Sequence, residues 1–438
     1  MTGERELIDF VTAQRWFGSK TREVTHAQVI DRVTLRDADP ALELALVEVR
    51  FETGTHETYQ LLTDDSHDAL DDPRQVRELV HMVRGGAKLP GENGVVEFAA
   101  VEGAPTFGQE LREARPVGAE QSNSSIVFDE ELILKVFRRL EPGINPELEL
   151  LRFLTEHDFA NIAQLSGWYA YTGRQMDATL GILQRFVADG RDGWEYALEA
   201  LDRDPDEFLT RLNRLGEVTG RMHAVLGSEP DDPNFCPEET SVESLGLLTA
   251  TVDEQIEQIF FSLPDGVEEL EPIRGRGEEV RELLRLLTNL GGTGRVIRHH
   301  GDLHLGQTLW SNRDWVILDF EGEPARSLTE RRRKRSPLRD VAGMMRSFAY
   351  AYSAASILHG VDPPSDWERR AQEEYLNGYL STVDHTLVPS GAGFDKLLRV
   401  FELEKAVYEL RYELNNRPDW VGIPVAGIVR MLEETVPA

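Results

Sequence analysis

The chain has 438 residues, 78 acidic against 47 basic, for a formal net charge of −31 with 40% hydrophobic residues. That length and apolar content suit two or three packed units and exclude disorder as the dominant state, and the charge excludes nucleic acid as the main partner because it repels polyphosphate backbones. A single cysteine, Cys236, excludes an internal disulfide or a thiolate zinc cluster, while the lack of a run of about 18 apolar residues and of a basic-then-apolar start leads us to expect a cytoplasmic protein without a membrane partner.

In chain order, residues 1–100 alternate short helical and strand-like stretches. Leu42–Phe51 reads as a strand, with Glu57–Leu62 as its partner across a glycine-containing turn. Ser125–Phe128 and Leu132–Phe137 flank Asp129-Glu130 and predict a hairpin. Pro142, Gly143, Asn145 and Pro146 break the chain, and Pro146 opens a helix that continues from Glu147 to Leu154. A buried-type strand follows over 181–187, with Gly190 and Gly193 marking a connector. From about residue 194, apolar spacing predicts helices over 206–226, 245–262, 278–290, 338–358, 366–382 and 395–416, interrupted by a strand-rich island from Arg295 to Phe320. The expected fold class is α+β, divided into 1–100, 101–188 (a small sheet lobe with one helix) and 189–438 (a helical lobe holding the island).

The island carries the chemistry. Asp302 follows the apolar pair Val296-Ile297, Asp319 follows Trp315–Leu318, and a short hairpin between them brings both carboxylates to one mouth. Gln307 sits five residues after Asp302. Phosphoryl transfer in a protein-kinase site uses His-Arg-Asp-x-x-x-x-Asn followed by Asp-Phe-Gly; here the string is His300-Gly301-Asp302-x-x-x-x-Gln307, then Asp319-Phe320-Glu321. In that pattern Asp302 is the base, Gln307 and Asp319 hold Mg²⁺ against the phosphates of ATP, and Glu321 reaches a second metal. Lys135 lies mid-strand among apolar residues, a costly place unless its ammonium finds anions; it would hold the α/β-phosphates and pair with a helix glutamate, Glu149 being preferred to Glu147. Gln121, Ser122, Asn123, Ser124 and Ser125 stand where a phosphate-covering loop belongs, and Gln184, Phe186 and Val187 where a hinge offers backbone groups to adenine.

Taken singly, Lys135 and the aspartates have ordinary readings, a salt-bridged strand lysine and residues capping turns; His300 and His304, four apart, suggest a metal pair, but there is no His-Glu-x-x-His and Gly301 argues against a helix. The order and spacing of all five elements together favour the kinase. No Gly-Lys-Ser/Thr and no dinucleotide glycine fingerprint competes with it.

His300-Gly-Asp-Leu-His resembles the aminoglycoside-phosphotransferase-like, protein-kinase-related small-molecule kinases. The longer strings His300-Gly-Asp-Leu-His-Leu-Gly-Gln307, Asp319-Phe-Glu-Gly-Glu-Pro-Ala-Arg326, Ser336–Phe348, Glu120–Ser125 and Tyr408–Pro424 resemble the maltokinase branch through most of the chain. Trp16-Phe-Gly-Ser-Lys20 is similar to the Trp-Phe-Gly-Gly-Lys motif of that branch's N-terminal cap, with Ser19 replacing the second glycine. The resemblance implies a bilobal protein-kinase-like fold whose first lobe is extended by a cap over 1–100. It implies ATP- and Mg²⁺-dependent phosphorylation of maltose at its anomeric hydroxyl, giving maltose 1-phosphate for α-glucan synthesis, with a functional link to trehalose synthase.

Tyr408 and Tyr412 share a helix face, Glu409 and Glu413 form the next stripe, and Trp420 follows the helix end. Aromatic rings stack on sugars and carboxylates grip hydroxyls, although an amphipathic helix with core tyrosines has the same pattern. By resemblance Tyr408, Tyr412 and Arg430 contact maltose, and Asp302, His304, Glu409 and Trp420 complete the expected sugar site. The alternatives are a glucosamine kinase or another small-molecule kinase on the same machinery and, from another class, an inactive nucleotide- or sugar-binding scaffold.

Overall fold

The computed structural model describes residues 3–64, 67–102, 111–117, 123–287, 293–324 and 326–435, and the statements below concern these. They form two compact units, residues 1–189 with 326–330, and residues 190–325 with 331–438.

In the first unit α1 (Glu4–Ala13) packs on an antiparallel sheet of β1 (Val24–Arg36), β2 (Leu42–Phe51) and β3 (His56–Thr63). Leu7 and Val11, one helical turn apart, bury against the alternating inward residues Ala45, Val47 and Val49 of β2. The paired run predicted around a glycine turn is thus the β2–β3 hairpin, in register Val47 to Tyr59. After α2 (Arg77–Gly85), a second sheet is built from β4 (Lys88–Pro90), β5 (Gly94–Ala100), β6 (Ala114–Val117), β7 (Asn123–Phe128), β8 (Leu132–Phe137), β10 (Leu165–Gly173) and β11 (Asp177–Arg185). Its order is β4-β5-β10-β11-β8-β7-β6, so strands on both sides of residue 100 share one sheet. The short β9 (Arg139–Leu140) passes to the first sheet instead. Asp129 and Glu130 both take positive φ (52° and 54°), which turns the chain tightly between β7 and β8.

Gln60 of β3 ties the two sheets together. It is fully buried, and its amide donates to the carbonyls of Phe137 (2.9 Å) and Leu180 (2.8 Å). Trp16 and Phe17 of the Trp-Phe-Gly-Ser-Lys motif are core residues packed on Tyr59. Ser19 donates to Glu57 (3.0 Å), Trp16 Nε1 to Asp68 (3.3 Å), and the buried Arg138 bridges Asp68 (2.6 Å) and Ser124 Oγ (2.9 Å). The helix predicted at Pro146 is α3 (Pro146–Glu156), capped by Asn145, which accepts from the Glu147 N–H at 2.8 Å.

The second unit is mainly helical. It holds α4 (Gly193–Arg203), α5 (Pro205–Leu226), α6 (Val242–Phe261) and α7 (Gly277–Leu287). After α8 (Leu328–Arg331), most of which groups with the first unit, come α9 (Leu338–His359), α10 (Trp367–Thr382), α11 (Ala392–Asn416) and α12 (Gly422–Thr435). Gly193 is therefore the start of a helix and not part of a connector: Asp192 caps it, accepting from Glu195 N at 2.9 Å. The pair α5 and α10 approaches closely because Gly216 and Gly378 lack side chains; a Cβ at Gly378 would lie 1.9 Å from the Asn213 carbonyl. The island supplies β12 (Arg191–Asp192), β15 (Thr308–Ser311) and β16 (Asp314–Ile317) as one sheet, and β13 (Glu238–Glu239) with β14 (Arg295–Val296) as another. No helix is long and apolar enough to cross a membrane among the described residues.

Candidate active site

Within the first unit, Lys135 stands mid-strand on β8, directly opposite Ser125 of β7 and Ile182 of β11. Its Nζ lies 2.9 Å from Glu147 Oε2, with the Lys135 and Glu147 side chains only 11% and 2% exposed. A buried ammonium and a buried carboxylate are each costly alone and tolerable as a pair. The expectation that Glu149 makes this pair is corrected. Glu147 and Glu149 are two residues apart, roughly 200° around the helix, and the face toward β8 belongs to Glu147.

The expected phosphate-covering segment is corrected in part as well. Asn123, Ser124 and Ser125 are strand residues at the start of β7, and Ser124 Oγ accepts from Arg138; Gln121 and Ser122 lie outside the described residues. At the hinge, Gln184 is buried in β11, while Phe186 and Val187 follow the strand's end. The Phe186 N–H donates to the Glu131 carbonyl at 2.8 Å, so that N–H is already engaged.

Within the second unit the loop before Asp302 is fixed from behind. Asp340 of α9, 1% exposed, accepts from the N–H groups of His300 and Gly301 (2.8 Å each) and faces His223 Nε2 at 3.1 Å. His223 Nδ1 in turn meets the Tyr379 hydroxyl at 3.1 Å. Gly301 takes φ +88°, a left-handed turn that presents Asp302. His300 is the staple between loop and hairpin: Nε2 donates to the Leu318 carbonyl (2.8 Å), Nδ1 accepts from the Asp302 N–H (3.3 Å), and the ring packs on Phe320. With both nitrogens engaged, His300 is no metal ligand. His304 Nδ1 accepts from Gly306 N–H at 3.1 Å, and burial lowers its pKa and keeps the ring neutral.

Asp319 follows β16 with φ +59°, and Gln307 Nε2 donates to its Oδ2 at 3.2 Å. Strand register therefore brings the amide and the second carboxylate together as the spacing predicts. Both residues offer oxygen, the donor a hard divalent cation takes, and no thiolate or free imidazole joins them, so the pair fits Mg²⁺. Glu321 lies two residues on, half-buried, with its carbonyl accepting from Arg331 at 3.1 Å.

Helix α11 runs beside Asp302, which the sequence left open. The contact is Lys405, whose Nζ lies 3.4 Å from Asp302 Oδ1 and 5.3 Å over the Tyr408 ring. Tyr412 is exposed beneath Arg417, and Trp420 stacks on Tyr350 with centroids 6.2 Å apart. One expected sugar contact is corrected: Glu409 is buried, with Oε2 accepting from Arg346 Nε and Nη2 (2.9 and 2.8 Å); Arg430, half-buried, pairs with Glu368 of α10. Both act in packing α11 and α12 against α9 and α10. Sequence reasoning ranked Glu147 behind Glu149 and missed Lys405, Asp340 and His223. A lysine one turn before the paired tyrosines was the available signal for Lys405.

Residues 113–322 match the phosphotransferase enzyme family and residues 10–87 the maltokinase N-terminal cap domain. A glucosamine kinase of Mycolicibacterium smegmatis is 26% identical over 338 residues, covering 74% of this chain and 81% of that protein. One of Streptacidiphilus jiangxiensis is 24% identical over 344 residues, covering 76% and 75%. Among solved structures, a glucosamine kinase (crystal form B) superposes with TM-score 0.76 at 21% identity, covering 97% of this chain and 99% of that one. A glucosamine kinase in complex with glucosamine, ADP and inorganic phosphate gives 0.71 at 22%, covering 89% and 92%. The chain thus carries a segment similar to the phosphotransferase enzyme family and has the bilobal, protein-kinase-like fold of the solved glucosamine kinases. Its N-terminal part is a maltokinase cap domain.

Proposed function

We propose that the protein is an ATP- and Mg²⁺-dependent sugar kinase that phosphorylates maltose on its anomeric oxygen. The observation that carries this reading is the Asp302 carboxylate, presented by a left-handed turn that His300 staples to the hairpin ending in Asp319, the partner of Gln307, and met by Lys405 of helix α11, in a chain with a maltokinase cap. Asp302 accepts the proton of the attacking hydroxyl and orients it toward the γ-phosphorus. Lys135, aligned by Glu147, holds the nucleotide phosphates. Gln307 and Asp319 would hold Mg²⁺, which neutralises phosphate charge when bound. The exposed Tyr412 and the Tyr408 ring offer faces to the sugar. A maltose-forming isomerisation, as by trehalose synthase, would supply the acceptor. The relatives named glucosamine kinases favour a second reading, with glucosamine as acceptor on the same residues.

The test is ADP release with Mg-ATP and a panel of maltose, glucose, glucosamine and trehalose. Maltose-dependent ADP with the phosphate on the anomeric oxygen by NMR is the expected result. Activity with glucosamine alone keeps the kinase and replaces the acceptor. Tight ATP binding with no sugar-dependent turnover favours the scaffold.

The ion pair makes a separate prediction. Glu147→Gln should lower kcat/KM for ATP about 10- to 100-fold, the kinetic equivalent of one lost charge-assisted hydrogen bond. Glu149→Gln should stay near wild type. Equal losses in both variants, measured at saturating sugar, would contradict the pairing.

A further inference from the structure

Lys405 has no place in the kinase pattern, yet it is the side chain seated against the expected base. Its Nζ is 3.4 Å from Asp302 Oδ1, on the flank of the carboxylate that faces α11, with the Tyr408 ring 5.3 Å away. The Lys405 side chain is 33% exposed and that of Asp302 23%, so water reaches this flank and a ligand can too. Burial disfavours the ammonium, but the carboxylates of Asp302, Glu409 and Glu323 raise its pKa and keep it charged. Arg346 answers Glu409 from within the core, and Asp302 is the carboxylate in direct contact with Lys405.

This matters for the acceptor. A sugar phosphorylated at its anomeric oxygen carries its C2 substituent one carbon away from the reacting hydroxyl. If that hydroxyl docks on Asp302, the C2 group lies within reach of the Lys405 ammonium. A hydroxyl there accepts a hydrogen bond from Nζ. An ammonium there meets a like charge, and the carboxylate that would welcome it already has its cation. We infer that Lys405 is the acceptor-selectivity residue: seated against Asp302, it admits neutral sugars and rejects those carrying an ammonium beside the reacting hydroxyl. The inference rests on the reading of Asp302 as the base of an anomeric sugar kinase.

Glucose and glucosamine differ only in the C2 group, so their kcat/KM ratio isolates charge from size. At pH 6.5 the wild-type ratio should favour glucose on the order of 100-fold, the scale of two like charges a few ångströms apart in a partly wet site. It should narrow as pH rises through about 8, where an amine of this kind loses its proton. Lys405→Met, which keeps the stem and removes the charge, should collapse the ratio at pH 6.5, whereas Lys405→Arg should preserve it. Lys405→Gln serves as a second neutral variant if the Met protein is unstable. A ratio unchanged in the neutral variants, or a wild type that prefers glucosamine at pH 6.5, overturns the inference. Failure of the underlying reading looks different: the wild type then places phosphate on the anomeric oxygen of no sugar at all.

Discussion

Asparagine in place of Asp302 is expected to lower turnover by about 10²- to 10⁴-fold, the usual contribution of a positioned general base, while nucleotide binding stays near the wild-type value. The geometry separates these two effects. The loop that presents Asp302 is held through the backbone, by Asp340 on the His300 and Gly301 N–H groups and by the Asp302 N–H on His300 Nδ1. None of those bonds uses the Asp302 side chain, whose neighbour is Lys405 at 3.4 Å. Asn therefore keeps the shape of the loop and loses only the ability to take a proton. Steady-state turnover and nucleotide titration on one preparation test both halves. A variant retaining more than about a tenth of wild-type turnover would remove Asp302 from the base role.

How much of this was legible in the sequence depended on how local the information was. The β7–β8 hairpin, α3 and the long helices were legible because apolar period, turn residues and caps act within a few residues. Helix α12 was not predicted; it opens with Gly422 and Pro424, and proline is tolerated in a helix's first turn, where its missing N–H costs nothing. Helix α4 was missed for a similar reason, Gly193 standing at its start where Leu305 and Thr308 pack too closely for a side chain. Asn123 and Ser124 were read as loop because small polar residues favour loops; pairing with β8 overrode that preference.

In the site, Asp302, Gln307 and Asp319 were legible because they sit on one loop and one hairpin whose register follows from spacing. Glu147 was not, since which face of α3 meets β8 is decided by packing. Lys405 reaches Asp302 across 103 residues, and Asp340 reaches the His300 N–H across 40. Nothing in the local pattern announces contacts of that kind. Glu409 shows the opposite error: a charged residue beside two tyrosines looked like a ligand for sugar hydroxyls, and the fold uses it to neutralise a buried arginine.

Asp340→Asn is the prediction with the largest expected effect on stability, about 3–5 kcal/mol, the cost of breaking a buried charged network. The carboxylate takes three donors at once, from His300 N, Gly301 N and His223 Nε2. An amide has one acceptor oxygen, and its NH₂ group would face at least one of those donors with no partner available in a site 1% exposed. The loss should appear as a lower urea midpoint, and, because two of the three bonds fix the loop leading to Asp302, as a fall in kcat as well. Acid should act through the same cluster. Burial alone would raise the Asp340 pKa, but the neighbouring imidazoles of His299 and His223, the latter hydrogen-bonded to it, hold it well below the usual carboxylate range. Its folded value lying under its unfolded one, Asp340 stabilises fully above about pH 4 and loses that contribution as pH falls further. His299 acts over a higher window: burial lowers its pKa to about 3, so the folded ring stays neutral while the unfolded chain takes up a proton below about pH 6.5. Stability should thus decline from pH 6.5 downward, by roughly 2 kcal/mol at pH 5 from His299. His299→Gln should flatten that limb and leave the steeper loss below pH 4. A wild-type urea midpoint in Asp340→Asn, or an unchanged slope between pH 6.5 and 4 in His299→Gln, would show that this cluster does not hold the loop.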